Sequence, residues 1–264
     1  MSATPVPPGT PAGPRHGGGP NRRPARADFP LYDGRPVRLT GGQWAVLMGA
    51  VVVAAAADLL VALPGPPWLS VAVRGVLFFG IPLLVLSRLA PGTLSYLFQP
   101  VRLKDVALMV AFAAINLVVS FVIAFVVSAV LDVNSNPAND TLAGLGTFDR
   151  LAYFASTVPQ LIGEEVFTVL PFLALLTLAT TVLGTGRRAG LVLAVIGSAV
   201  LFAAIHLPTY DWNIAQCLLV IGTARVVLLI PYLITKNLWT SVGAHVLNDW
   251  TLFGLGLLTA HHAA

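Results

Sequence analysis

Along most of this chain apolar residues do not alternate with polar ones. From about residue 42 onward seven mostly apolar stretches, 42–63, 68–88, 105–131, 150–183, 189–206, 213–234 and 238–258, are separated by short polar breaks. Each is close to the roughly 20 residues a helix needs to cross a hydrocarbon core. Lipid offers no partner to a free backbone N–H or C=O, and the alternation of a membrane β-barrel is absent, so every run is read as a helix. The expected fold is all-α, a polytopic transmembrane helical bundle of about seven spans. The fourth run is too long for one perpendicular crossing, so it is expected to kink at Pro159 or Pro171 or to lie partly in the interface.

The chain ahead of the first run has another character. Residues 1–40 are rich in Pro, Gly and Arg and nearly free of aliphatic side chains, too little apolar surface to offset the entropy of ordering, and are expected to be a disordered cytoplasmic tail. No apolar stretch follows directly on the first charges as in a cleaved signal peptide, so the tail is expected to stay attached. Residues 41–144 are then the N-terminal transmembrane helices and 145–260 a second transmembrane core.

Composition agrees with the pattern: 56% of residues are hydrophobic and 10% charged, too few charges for the surface of a soluble domain. The formal charge of +4 does not signal a nucleic-acid partner, because the basic residues sit in the tail and short loops rather than along one face. Arg88, Arg102, Lys104, Arg187, Arg188 and Lys236 fall on the same side as the tail arginines. Asp132, Asp140, Asp149 and Asp211 fall on the other, with Arg150. That asymmetry predicts a multi-pass protein of the cell membrane with its N-terminus in the cytoplasm. Cys217 is the single cysteine, which excludes an intrachain disulfide and a cysteine metal cluster.

Few ionisable residues interrupt the runs: Asp58, Arg74, Glu164, Glu165, His206, Arg225, His245 and Asp249. A charge at mid-bilayer costs about 2.5 to 3.5 kcal/mol even on the lenient insertion scale, so each requires a partner or a wet cavity. Glu164 and Glu165 have no Lys or Arg within a helical turn or two, and like-charge proximity disfavours ionising both without help from another helix. His245 and Asp249 are four apart and share a helix face. Converging, the fourth, fifth and seventh runs would bring Glu164 or Glu165, His206, His245 and Asp249 to one cavity. Asn248 can stand in for Asp249 in a different register, and Asp58 and Arg74 are left outside the site. The signatures of zincins, of Gly-x-Ser-x-Gly hydrolases and of phosphate-binding loops are missing. One geometric obstacle stands out. If the fifth and seventh runs point the same way, His206 lies near one membrane face and His245 near the other end of its helix, a depth gap on the order of 10 Å at 1.5 Å per residue.

Over residues 145–258 the sequence resembles the family of intramembrane proteases that includes CAAX prenyl proteases and bacteriocin-processing, immunity and lysostaphin-resistance-like proteins. That family's pattern is Glu-Glu-x-x-x-Arg, then Phe-x-x-x-His, then His-x-x-x-Asn or Asp. Here Glu164 and Glu165 are followed by Phe202 with His206 and by His245 with Asp249. Where the pattern has Arg, this chain has Val169. Arg225, on the sixth run with no acidic neighbour on its own helix, is expected to supply the missing charge from across the bundle.

The resemblance implies an intramembrane endopeptidase acting on a peptide or membrane-protein substrate. In it Glu164 activates a water with help from His206, while His245 and Asp249 stabilise the oxyanion. No cofactor is required on that reading. A zinc ion held by Glu164, His206 and His245 is the alternative the same residues allow. Two other functions stay open at this point: a catalytically inactive scaffold or immunity factor, suggested by Val169, and a proton-coupled transporter, disfavoured by the absence of internal repeats.

Overall fold

The computed structural model describes residues 28–32 and 34–262, and no strand occurs among them. Its helices are α1 (Gly41–Leu60), α2 (Pro67–Leu89), the single turn α3 (Leu94–Leu97), α4 (Leu103–Ser128), the short α5 (Pro137–Gly144), α6 (Thr147–Thr177), α7 (Arg187–Ile205), α8 (Ile214–Gln216), α9 (Gly222–Thr235) and α10 (Leu238–His262). A π-helical turn carries α6 on to Val182, and another joins α8 to α9. Six helical stretches are long and apolar enough to cross a membrane, with α6 and α9 counted through their π turns. α10, of 25 residues, is the seventh expected run, its apolarity diluted by His245, Asn248 and Asp249. The chain is a multi-pass, all-helical membrane protein.

α6 is the axle of the bundle, with 61% of its most apolar window buried against 17% for α4. It stays one continuous helix through Pro159 and Pro171, and at 1.5 Å per residue its 31 residues reach well past a hydrocarbon core of about 30 Å. α2 lies against it at very close range. A Cβ on Gly75 would stand 2.4 Å from the backbone nitrogen of Gln160 and 2.8 Å from the carbonyl carbon of Pro159, and one on Gly163 would stand 2.6 Å from the ring of Phe78. Small residues that let backbones approach are the usual means of joining helices in lipid, where the hydrophobic effect supplies little between them.

Local chemistry sets the helix starts. Thr40 caps α1 in a reciprocal box with Gln43, and Asn136 caps α5 ahead of Pro137. Asn237, just before α10, accepts from the backbone N–H of Gln99 and donates to its carbonyl, which fixes the α9–α10 turn to the α3–α4 connection.

Of the tail expected over 1–40, residues 1–27 and 33 lie outside the described residues. The rest packs on the bundle. Phe29, Leu31 and Leu39 are buried in the main core, and Phe29 meets Phe172 edge-on at 5.2 Å and Tyr232 at 6.0 Å. Asp28 accepts two hydrogen bonds from Arg187, from Nη2 at 2.7 Å and Nε at 3.0 Å. A few aromatic and aliphatic side chains entering an existing core suffice to order a Pro- and Arg-rich segment.

Candidate active site

Three helices carry the polar network around Glu165 inward. On α6, Glu164 and Glu165 are consecutive and so point about 100° apart around the helix, which lets two adjacent carboxylates face different neighbours. α9 delivers Arg225, which is buried. α10 presents Ser241, His245, Asn248 and Asp249 along a single stripe at helical spacing.

Glu165 sits at the centre of the structural half of the site. Its Oε1 lies 2.6 Å from Arg225 Nη1 and 2.9 Å from His245 Nδ1, and its Oε2 accepts from the Ser241 hydroxyl. The side chains of Glu165 and Arg225 are both fully buried. The cation expected to replace the motif Arg therefore arrives from α9, while Val169 is packed in the apolar core. The Arg225 guanidinium also stacks over Phe202, 4.9 Å from the ring centroid. Among the described residues its Nε and Nη2 have no hydrogen-bond partner.

Because a carboxylate paired with Arg accepts only, His245 donates Nδ1–H to Glu165, and this sets the orientation of the ring. Nε2 then faces the other two acids, 3.7 Å from Glu164 Oε2 and 3.6 Å from Asp249 Oδ1. Such separations exceed direct hydrogen bonds, so neither acid holds Nε2 at bonding distance. Glu164 is oriented by Gln160, whose Nε2 donates to Oε1 at 3.2 Å. Asp249 Oδ1 accepts from Asn248 Nδ2 at 2.8 Å, and Asn248 Oδ1 accepts in turn from Asn116 Nδ2 on α4 at 3.0 Å.

A cavity of about 550 Å³ joins these groups, lined among others by Glu164, His206, Arg225, His245 and Asp249. His206 closes α7, and its Nδ1 lies 2.8 Å from the Phe202 carbonyl oxygen. That acceptor places the proton on Nδ1 and leaves Nε2 with its lone pair when the ring is neutral. The depth gap expected between His206 and His245 is bridged by Phe202, whose ring centroid is 4.5 Å from that of His206 and 6.4 Å from that of His245. Four of the five expected residues thus line one cavity. Glu165, the fifth, stands behind it holding His245. Asp58 and Arg74 do not line this space.

Gln160, Ser241, Asn248 and Asn116 complete the polar network. Gln160 and Ser241 precede Glu164 and His245 by four residues, so their shared faces were legible from spacing. Asn116 carried a fainter signal, a single amide in the middle of the third apolar run. Among the described residues, no group of three His, Cys, Asp or Glu side chains has a geometry that could hold a metal ion. As arranged, Glu164, His206 and His245 do not form a three-ligand set.

A family model described as Rce1-like, type II CAAX prenyl endopeptidase, matches residues 147–251. The match runs from the first turn of α6 through the site residues of α10. No curated protein and no solved structure matches the chain.

Proposed function

We propose, from the match of residues 147–251 to the Rce1-like model of type II CAAX prenyl endopeptidases, that the protein is an intramembrane endopeptidase that hydrolyses a peptide bond with a Glu164-activated water. The observation that carries this reading is the meeting of Glu164 Oε2, His245 Nε2 and Asp249 at 3.6 to 3.7 Å on the wall of one membrane-embedded cavity.

Glu164 takes a proton from a water as its oxygen attacks the scissile carbonyl, and His206 Nε2 steadies that water by accepting its second hydrogen. The negative charge that develops on the carbonyl oxygen meets His245. Asp249, itself an acceptor, acts through His245 by favouring a proton on Nε2, so that the ring can donate to the oxyanion. Glu165, clamped by Arg225 and Ser241, is a positioning residue that fixes the ring and does not touch the substrate. Collapse of the intermediate breaks the C–N bond, and the proton held by Glu164 passes to the departing amine. One water is consumed, and one carboxyl and one amine are formed.

The inactive-scaffold reading rests on Val169, and the Arg225 guanidinium 2.6 Å from Glu165 supplies from α9 the charge that position lacks, which supports the hydrolytic reading. The test is hydrolysis itself. The purified protein, in lipid nanodiscs with a library of hydrophobic peptides and heavy-oxygen water, is expected to yield fragments carrying the label in the new carboxyl group. Absence of cleavage across the library, or fragments without label, would overturn the proposal.

A further inference from the structure

A guanidinium group has two flat faces and, in its plane, a fork of N–H donors. At Arg225 one face lies over the Phe202 ring, 4.9 Å from its centroid, which leaves the in-plane donors untouched. Nη1 meets Glu165 Oε1 at 2.6 Å. Nε and Nη2 point their N–H bonds along a common edge on the far side of the guanidinium carbon from Nη1, and among the described residues neither has a hydrogen-bond partner. The residue is 1% exposed. A buried donor without an acceptor is costly, the more so on a charged group. Two such donors side by side on one cation point to a ligand that brings oxygens to them.

The neighbours say where that edge lies. Glu165 stands behind the cavity wall, whereas Arg225 lines the cavity with Glu164, His206, His245 and Asp249. The edge opposite Glu165 is therefore the one on the cavity side. Neither acid of the wall takes it, because the ion pair of Arg225 among the described residues is with Glu165. His245 Nδ1 shares the same Oε1, at 2.9 Å, so guanidinium and imidazole are held side by side. Phe202, beneath the guanidinium, has its ring centroid 4.5 Å from that of His206 and 6.4 Å from that of His245.

Hydrolysis produces the oxygens this edge fits. Attack of water on a peptide carbonyl gives a tetrahedral carbon bearing two oxygens, the former carbonyl oxygen with the negative charge and the oxygen of the water. Collapse leaves a carboxylate, again two oxygens on one carbon. Parallel N–H···O bonds from one guanidinium edge match such a pair, and a single ammonium does not. The uncleaved peptide offers one neutral carbonyl oxygen there, so the contact strengthens as the charge develops. Resting on the hydrolytic reading of this site, we infer that Arg225 is itself a catalytic residue: Nη1 holds Glu165, while the Nε–Nη2 edge, beside His245, binds the two oxygens of the tetrahedral intermediate and then of the new carboxylate.

The experiment measures inhibition by a peptide phosphinate, whose tetrahedral phosphorus carries two oxygens sharing one negative charge, built on the sequence of a peptide the wild type cuts. Wild type, Arg225→Lys, Glu165→Gln and the double variant are compared in nanodiscs, each checked for folding by its SDS midpoint. Arg225→Lys keeps a cation for Glu165 and loses the edge. It is expected to weaken phosphinate binding and to lower kcat by about a hundredfold each, with KM for the peptide nearly unchanged, and to do so in the Glu165→Gln background as well. A residue that acted only through Glu165 would have no effect once that carboxylate is gone. Loss of the effect in that background, or an unchanged inhibition constant, therefore overturns the inference. If Arg225→Lys does not fold, Arg225→Gln in the Glu165→Gln background strands no carboxylate and removes the same edge, and it is compared with Glu165→Gln under the same expectations. A wild type that cuts no peptide ends the hydrolytic reading and this inference with it, whereas cleavage by a wild type whose phosphinate affinity is indifferent to Arg225 ends this inference alone.

Discussion

Replacing Arg225 by Leu isolates the contact on which the site's architecture depends. The substitution leaves the Glu165 carboxylate, wholly buried and 2.6 Å from the lost guanidinium, without its cation. Removing one partner of a buried ion pair typically costs about 3 to 5 kcal/mol, chiefly because the remaining charge is stranded. Glu165 keeps the Ser241 hydroxyl and the His245 imidazole, which places the expected loss near the lower end, about 3 kcal/mol, or roughly a hundredfold in the folding equilibrium. Adding Glu165→Gln removes the stranded charge, so the double variant is expected to be more stable than Arg225→Leu alone by about 1 to 2 kcal/mol. The assay is unfolding in mixed micelles by rising SDS, followed by tryptophan fluorescence, for the wild type, both single variants and the double variant. Strict additivity of the two substitutions would refute the reasoning, since it would mean that Glu165 and Arg225 do not sense each other.

Three further outcomes follow from named contacts. Asn116→Leu removes the donor to Asn248 and is expected to cost about 1 to 3 kcal/mol, with a fall in kcat as Asp249 loses its orientation; an unchanged melting curve and kcat would contradict the relay. Gly75→Leu forces a side chain into the backbone of α6 at Pro159 and Gln160, so loss of folded protein in a detergent-solubility assay is expected, and wild-type recovery would contradict the packing. Asp28 is the titrating contact of the docked N-terminal segment: burial alone would raise its carboxyl, but hydrogen bonds from Arg187 and from the Phe29 N–H outweigh it and hold the group below its ordinary value of 3.8. The stabilisation is therefore complete above that value and lost as pH falls through the lower folded one. Limited proteolysis by an acid-active protease is expected to release the segment only below about pH 4, whereas Asp28→Asn, in which the charge is already gone, is expected to remove this pH dependence.

The bundle was legible because runs of apolar residues can do little else in lipid, and six of the seven expected helices pass as spans on length and apolarity, all seven matching the run positions within a few residues. α3 and α5 escaped notice because four and eight residues give no periodic signal. Glu164, Glu165, His206, His245 and Asp249 could be singled out because a charge in an apolar run demands a reason, and Arg225 followed by the same logic from the vacancy at Val169. Asn116 obeys a weaker constraint: one uncharged amide inside a span is inexpensive and commonly does no more than join two helices. Docking of Phe29, Leu31 and Leu39 was hidden for a different cause. Composition averages over the segment, while Phe29, Leu31 and Leu39 act individually.

Turnover by the Glu164→Gln variant tests the central claim most directly, because the amide keeps the size of the side chain and its place beside Gln160 while losing the basic oxygen. With a cleaved peptide in hand and folding verified by the SDS midpoint, kcat is expected to fall by about a hundredfold or more. A Glu164→Gln protein that cuts the same bond at the wild-type rate would mean that the water is activated elsewhere.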